Sequence, residues 1–550
     1  MISKTFYRLL LPLAILALPA CTKYLDKTNP DTEVDPTYWR DENSVRTYCW
    51  QFYNLFPGFG NGSGTGDFYF TTFNDDQLAA SFTQYPVTTP ASNGDWDFSM
   101  IRAANILLQR VDIVNMDTTA KNHWKAIGHF FRAFKYFKLV QEFGGVPFYN
   151  QSLDISDSTD IYKPRDSHQL VMDSVLADIN FAVANLRVVD LPNTVNRNVA
   201  LALKSRICLW EGTYRKYHTE LNLPNADQYL QQAKDAASQL MASGTYVLDA
   251  DYRTVYSSLD LTNDKEVLLF KQYVAGFLTH SVIGYTNSTS LMSGPSKSAV
   301  NSYVCTDGLP IGLSPLYKGD ASIQSLRMNR DKRLLETIDT FLCYTGSLVA
   351  GLTSTSGYRP SKFLQPLDNQ QAPNNTTDAP IFWLPEVLLN YAEACAELDQ
   401  MGGYTMVQGD LDKSVNLLRA RAGVAPLTLT GPQSVGFVDP AKDADVTPLI
   451  WEIRRERRVE LMMDGFRQQD IYRWKKGNYM DSQLDPDSWV GAHVPPNGKV
   501  QLDPNGYIMP YAAGDIRIFT DPKDYLSAIP TSQILLYPQS IQQSMQNPGW

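Results

Sequence analysis

Histidine, serine and glycine residues recur in catalytic motifs, but in this chain none falls into a catalytic spacing. The six histidines, at positions 123, 129, 168, 218, 280 and 493, form neither an HExxH motif nor a pair four residues apart, the spacing that sets two zinc ligands on one helical face. No GxSxG motif occurs, and the glycine-rich stretch 60–66 lacks the Lys-Ser/Thr of a phosphate-binding loop. We predict that the chain is not an enzyme. Glycoside hydrolysis needs only two carboxylates, so the 58 acidic residues leave that alternative open.

The strongest charge pattern lies in the segment Trp451–Leu461, where glutamates and arginines alternate. Glu452, Glu456 and Glu460 stand about one helical turn apart, among arginines at positions 454, 455, 457 and 458. Alternating charges at this spacing are typical of a helix whose side chains form ion pairs. We predict an ion-paired structural face, and the alternative is a basic groove.

Overall charge and cysteine spacing exclude several classes of protein. A net charge of −10 and a pI of about 5.2 do not provide the basic face that nucleic acid binding requires. Apart from Cys21, the cysteines at 49, 208, 305, 343 and 395 are widely spaced and form no CxxC pair, so no zinc ribbon or disulfide framework is predicted. We expect buried free thiols, with one or two disulfides as the alternative.

The N-terminus has the layout of a signal peptide. Lys4 and Arg8 precede an apolar run over 9–20 that stops at Cys21, and the run is too short to span a bilayer as a helix. The sequence Leu-Pro-Ala-Cys over 18–21 looks like a bacterial lipobox, although its proline is unusual. We predict that residues 1–20 are removed and that Cys21 is lipidated. An ordinary cleavage site beside a chance cysteine is the alternative.

Helical spacing of apolar residues dominates two blocks, at about 98–245 and 380–475. Within the first block, apolar residues from Trp124 to Phe137 recur on one helical face, and Gly144-Gly145 should end that helix. Further helices follow over 171–186, 201–209 and 229–240. We predict a mainly α fold in which TPR-like helix pairs form a scaffold. A helical domain without repeats is the alternative, because the repeats are degenerate.

Two stretches, at about 56–95 and 246–379, are rich in Gly, Ser, Thr, Asn and Pro, and helical spacing fades in them. We predict an irregular, loop-rich lobe that carries short strands. Binding residues favour loops held on a rigid scaffold, so this lobe is where we expect a ligand. The alternative is an irregular cap with no ligand role.

Four short motifs stand near the C-terminus: Glu456-Arg-Arg-Val-Glu-Leu461, Asp464-Gly-Phe-Arg467, Asp470-Ile-Tyr-Arg-Trp474 and Gln546-Asn-Pro-Gly-Trp550. They resemble motifs of the SusD/RagB family, and they are the most specific part of a resemblance that keeps the family order along the chain. Similar stretches occur at Trp96–Asn105, Phe131–Tyr136, Phe143–Pro147, Ala200–Arg206, Arg330–Arg333, Leu388–Ala394, Leu418–Gly423 and Tyr525–Pro530. Gly128-His129 and the terminal Trp550 depart from the family pattern. The resemblance runs from Cys21 to Trp550.

The resemblance implies a single SusD-like domain over 21–550 on the cell outer membrane, exposed at the surface and held by its lipid. It implies capture of an oligosaccharide and delivery to a SusC-like TonB-dependent barrel, without a cofactor, although some relatives bind a structural calcium. Peptide capture, as in RagB-type relatives, is the alternative. A TPR scaffold that only assembles other proteins is a third interpretation.

A glycan site needs aromatic faces that stack on sugar rings and polar groups that bond hydroxyls. Mixed polar and aromatic loop residues supply six candidates, which are Asn74, Asp76, Tyr85, Trp96, Tyr285 and Tyr317. A role in the core is the alternative for each, above all for Trp96, which begins a helix motif. The charged residues of the helical motifs are assigned to folding and ion pairing; they are Arg132, Arg206, Glu393, Arg419, Glu456 and Arg467.

Overall fold

Helices are the main regular elements of the fold. The computed structural model describes residues 38–60, 73–153, 158–286, 292–347, 352–367 and 374–550. Its α-helices are α1 (Glu42–Cys49), α2 (Ser99–Arg110), α3 (Thr118–Phe143), α4 (Ser158–Ile161), α5 (His168–Asn185), α6 (Arg197–Tyr217), α7 (Ala226–Ala242), α8 (Thr254–Ser257), α9 (Val282–Thr286), α10 (Lys297–Ser302), α11 (Ile323–Arg327), α12 (Lys332–Thr337), α13 (Leu384–Gln400), α14 (Gln408–Asp412), α15 (Val415–Arg421), α16 (Pro448–Glu460), α17 (Arg467–Arg473), α18 (Thr531–Ile534) and α19 (Gln539–Gln542).

The longest helix, α3, forms because its sequence satisfies both its ends and its apolar faces. Asp117 caps the first turn, where its side chain accepts the N–H of Ala120 at 2.8 Å. Apolar residues along the helix are buried on more than one face, so α3 lies in the interior. It ends at Gly144, whose φ of +71° is easily adopted by glycine. The predicted helix and its predicted end are both confirmed.

The long helices pack in sequence order into a TPR-like scaffold, as predicted. Helix α3 packs on α2 and α5, α6 packs on α5 and α7, and α13 packs on α6, α7 and α16. Buried ion pairs join the helices: Arg132 bonds Asp178 at 2.7 Å from both Nε and Nη2. Contacts between α13 and the earlier helices connect the two helical blocks, so they share one core.

Short strands and short helices fill the stretch between the two helical blocks. Three two-stranded antiparallel pairs occur among the described residues: β1 (Gln77–Leu78) with β3 (Gly294–Pro295), β2 (Val267–Lys271) with β6 (Ala379–Trp383), and β4 (Ile338–Leu342) with β5 (Tyr358–Pro360). Val267 pairs with Trp383, and β6 runs directly into α13. The irregular lobe with short strands is therefore confirmed, and β1–β3 ties its two parts together.

The cysteines at 49, 208, 305, 343 and 395 are buried and unpaired. Burial raises the pKa of the Cys208 and Cys395 thiols to about 12, so they stay protonated and unreactive at neutral pH. Within the described ranges, no helix has both the length and the apolar content needed to cross a bilayer. Cys21, its lipobox and most of the glycine-rich stretch 60–66 lie outside the described residues.

Candidate functional site

An open cleft of about 640 Å³ lies where α16 and α17 meet the irregular lobe. Its floor comes from α16 and α17, and its walls come from the loop at Asp75, from α10, and from the segments 310–312, 439–441 and 478–487. Pockets that hold small ligands are commonly of this size. The cleft therefore gathers segments from both the scaffold and the lobe.

Helix α16 presents one face to the cleft and the opposite face to the core. Trp451, Arg454, Arg455 and Arg458 line the cleft, because residues three and four apart project from the same side of a helix. Thr447 caps the helix, with its hydroxyl accepting the N–H of Ile450, and Pro448 occupies the first turn. This geometry fixes the spacing of the three arginines along the floor.

Every arginine of the floor is already paired with a protein carboxylate. Arg455 donates to Glu452 at 3.0 Å and also bonds Asp439, while Arg454 bonds Glu397 at 3.0 Å. On the other face of α16, Glu456 and Glu460 pair with a second set of buried guanidinium groups, on Arg333, Arg419 and Arg421. The predicted ion-paired face is confirmed, and the cleft is not a basic groove.

Two adjacent carboxylates, Asp75 and Asp76, hold the arginines of α16 and α17 together. Arg467 makes a two-pronged bond to Asp75, at 2.7 Å from each nitrogen, and Arg458 bonds Asp76 at 2.7 Å and Asp75 at 3.0 Å. Burial alone would raise the pKa of Asp75, but Arg458 and Arg467 outweigh it and hold that pKa below its usual value. Asp75 therefore stays ionised as the bridge between the helices.

Three polar side chains of the lining have no hydrogen bond or ion pair with any described residue: Asn301, Asn478 and Asp485. Asp485 is half-buried, and its pKa is raised to about 6 by burial first and then by the charge of Asp75, with Arg458 acting in the opposite direction. The neighbouring Asp487 is paired with Lys297 at 2.6 Å. The free groups at the cleft are thus two amides and one carboxylate.

Aromatic rings stand beside these free groups. Trp451 and Tyr479 are half-buried, and each is held at its polar atom: the Trp451 indole donates to Asp439 at 3.2 Å and the Tyr479 hydroxyl donates to Asp443 at 2.5 Å. Trp474 is buried behind them. Fixed rings beside free amides and a carboxylate can stack on a ligand and bond its hydroxyl groups.

The lining offers groups that can bind a ligand. No histidine or cysteine lines the cleft, so a nucleophile activated by an adjacent imidazole is not available there. Across the described ranges, no group of three or more His, Cys, Asp or Glu side chains is arranged to hold a metal ion. The geometry supports recognition of a ligand.

Comparison with known proteins decides the family. Residues 272–550, about half of the chain, match the family described as "SusD family". The chain belongs to the SusD family. Residues 65–209 match a second description, "Starch-binding associating with outer membrane". Together the two matches include every residue that lines the cleft, from Asp75 to Asp487.

Relatives of known sequence or structure agree with this assignment. The SusD-like protein P38 of Formosa agariphila is 28% identical over 234 residues, which are 40% of this chain and only 44% of that relative's length. A SusD-like carbohydrate-binding protein from Bacteroides fragilis has a TM-score of 0.70 at 21% identity and covers 91% of this chain and 99% of its own. A laminarin-binding SusD-like protein has a TM-score of 0.56 at 17% identity, with coverages of 93% and 100%. At these identities the structural matches establish the fold.

Of the six predicted ligand residues, the five whose side chains are described do not line the cleft. Asn74 and Asp76 are buried at the edge of the cleft, where the Asn74 side chain accepts the N–H of Asp76 at 2.8 Å. Tyr85 is buried against Phe73, with ring centroids 4.5 Å apart. These three side chains hold the loop in place, and Asp76 contacts the arginines of the cleft, with Arg458 at 2.7 Å and Arg467 at 4.0 Å.

The remaining candidates lie elsewhere. Trp96 is buried against Phe143, with ring centroids 5.1 Å apart, which fits the core role weighed for it. Tyr317 is half-buried, with its ring 5.4 Å from the Arg330 guanidinium. Tyr285 belongs to α9, and its side chain lies outside the described part of the chain. Ligand contact by any of the six stays a prediction.

The cleft residues that sequence reasoning missed are Trp451, Tyr479, Asn301, Asn478 and Asp485. One signal for them existed, because Trp451 shares a helix face with the arginines at 454, 455 and 458. An aromatic residue on such a charged face indicates a surface that contacts a ligand as well as one that forms ion pairs. Asp485 lies in an Asp-Pro-Asp turn that follows the second helical block. Of the motif residues assigned to ion pairing, all six form buried or half-buried pairs, and Arg467 also lines the cleft.

Proposed function

We propose that this chain binds an oligosaccharide in the cleft and does not change it chemically. The observation that carries the proposal is the set of half-buried rings, Trp451 and Tyr479, placed beside Asn301, Asn478 and Asp485, which have no partner among the described residues. Sugar rings have apolar faces that stack on aromatic rings and hydroxyl edges that exchange hydrogen bonds with amides and carboxylates. The cleft provides both kinds of contact in one place.

The ion-paired floor supports this proposal because it makes the site rigid before the ligand arrives. The arginines 454, 455, 458 and 467 are held by carboxylates that are themselves buried. A preorganised site loses less conformational entropy on binding. Proteins of similar fold also support the proposal, since one is called carbohydrate binding, another laminarin binding, and a third was crystallised with a xylogluco-oligosaccharide.

A binding screen tests the proposal. Residues 22–550 would be titrated with a panel of plant, host and microbial polysaccharides and with mixed peptides, while the release of reducing ends is measured. We expect binding of at least one polysaccharide without cleavage. Binding of peptides alone would favour a RagB-like role, and release of reducing ends would make the chain a hydrolase.

We further propose that the mature protein is a lipid-anchored subunit on the outer-membrane surface that delivers its ligand to a SusC-like TonB-dependent barrel. The signal-peptide pattern over 1–20, directly before Cys21, and the family description "associating with outer membrane" support this proposal. Mass spectrometry of the native protein should find acyl chains on Cys21. A C21A variant should be lost from the outer-membrane fraction, and purification of the native protein without any barrel would contradict the partnership.

A further inference from the structure

We infer that the cleft selects uncharged oligosaccharides over those that carry carboxylate or sulfate groups, and that Asp485 is the residue that makes the distinction. This inference rests on the proposed function and adds the class of glycan that the site accepts. It follows from which charges in the cleft are already paired and which are not.

The arginines of the cleft already have buried counter-charges, so they offer an anionic sugar no unbalanced positive charge. Four arginines and four aspartates line the cleft, so the lining has no excess of positive charge. Asp75 is 1% exposed and bonds both Arg458 and Arg467. If a sugar carboxylate displaced Asp75 from either guanidinium, Asp75 would lose a counter-charge in the interior, which is strongly unfavourable. Arg455 is bound in the same way between Glu452 and Asp439.

The arginines can still donate hydrogen bonds to neutral oxygens. Arg458 and Arg467 each use Nε and Nη2 on protein partners, and Nη1 of each has no partner among the described residues. A guanidinium whose charge is balanced nearby bonds a hydroxyl or ether oxygen without drawing a carboxylate to it. The floor therefore favours neutral acceptors.

Asp485 makes the cleft repel anions. It is the carboxylate of the lining that has no cation within ion-pair distance in the described residues, and Asp75 and Asp487 lie close enough to act on its charge. Burial is the first cause of its raised pKa of about 6, and the like charges of Asp75 and Asp487 add to it, so negative charge lies close to this part of the lining. A sugar hydroxyl can donate to Asp485, whereas a uronate or sulfate group cannot donate and is repelled.

The test uses matched pairs of six-residue oligosaccharides with the same linkage, one neutral and one with C6 oxidised to a carboxylate. Affinities of residues 22–550 would be measured by titration calorimetry at pH 7.5 for β-1,4-glucan, β-1,3-glucan and α-1,4-galactan pairs. We expect the neutral member of a bound pair to bind at least about tenfold tighter. Because Asp485 becomes neutral as the pH falls through about 6, this ratio should shrink at pH 5.

Two variants assign the effect to Asp485. D485N should reduce the ratio to about threefold or less, mainly by strengthening binding of the oxidised member. N301D, which adds a carboxylate to the same lining, should increase the ratio. D227N serves as the matched control, since Asp227 is exposed on α7 away from the cleft, and it should leave the ratio unchanged. Thermal unfolding of each variant would show that it is folded.

The outcomes separate the two proposals. Equal or tighter binding of the oxidised member by the unaltered chain overturns the selectivity and leaves oligosaccharide binding intact. A D485N variant that weakens both members equally overturns the role of Asp485. Failure of the unaltered chain to bind either member of any pair, or any polysaccharide of the screen, overturns the proposed function and this inference with it.

Discussion

Trp451 stands at the border between the ion-paired interior and the open cleft. Its indole nitrogen is held by Asp439, and the same carboxylate pairs with Arg455, so the ring is fixed by the network that forms the floor. A ring that is fixed but half-buried offers a face to a ligand at little entropic cost. Trp451 therefore differs from Trp474, whose ring is buried and offers no open face to a ligand.

We expect W451A to weaken oligosaccharide binding by about tenfold or more, because truncating an aromatic anchor removes both its stacking and its excluded water. The variant should unfold at nearly the same temperature as the unaltered chain, since the ring is only partly buried. The control is W50A, because Trp50 is 43% exposed and is not part of the cleft lining. Equal loss of affinity in both variants would show that Trp451 has no special role.

A buried ion pair holds helix α13 against helix α17. Glu393 accepts two bonds from Arg473, at 2.6 and 2.7 Å, and one from the Trp474 indole at 2.7 Å. Burial would raise the pKa of Glu393, but Arg473, together with Arg457 and Arg454, lowers it to about 2. The pair therefore stabilises the folded state wherever Glu393 is ionised.

We expect E393Q to lower the free energy of unfolding at pH 7 by about 3 kcal/mol, because it leaves Arg473 with less buried counter-charge. The folded-state pKa of Glu393 lies below the unfolded value of about 4.5. The stabilisation is therefore complete above pH 4.5 and is lost as the pH falls toward 2. Urea unfolding between pH 7 and pH 3 should show the difference between E393Q and the unaltered chain shrinking below pH 4.5. D227N should show no such trend, and a difference independent of pH would contradict the assignment.

Local sequence patterns predict the helices of this fold, whereas the cleft depends on residues that are far apart in the chain. Helix α3, its cap at Asp117 and its end at Gly144 follow from local patterns, so the helical blocks and the TPR-like scaffold were predictable. The cleft was not, because it depends on distant partners: Asp75 and Arg467 are 392 positions apart. Asp76 looked like a free loop carboxylate, and only the fold shows that Arg458 holds it. Asp485 likewise could not be singled out, because only the fold shows that it forms no ion pair with any described residue.

Across the molecule, ion pairs and hydrogen bonds join the first and second helical blocks, so the stability of each block depends on the other. Arg206 on α6 bonds Glu386 on α13 at 2.6 Å, and His218 bonds the Tyr472 carbonyl at 2.8 Å. Strand β2 pairs with β6 across the same boundary. The segment 272–550, although it matches the family description by itself, leaves the buried faces of α13 and β6 without the partners that cover them.

We therefore expect residues 22–550 to unfold in a single cooperative transition, and residues 272–550 alone to show none. Isolated, that fragment exposes the apolar face of α13 that α6 and α7 cover, and it leaves Glu386 without Arg206. Calorimetry and near-ultraviolet circular dichroism would compare the full chain with the fragment. Mixing the fragment with residues 22–271 should restore both signals, because β2 and α6 are then supplied in trans. A cooperative transition of 272–550 by itself would instead show that the C-terminal part is an independent domain, and that the cleft floor, including Trp451, forms without the N-terminal helices.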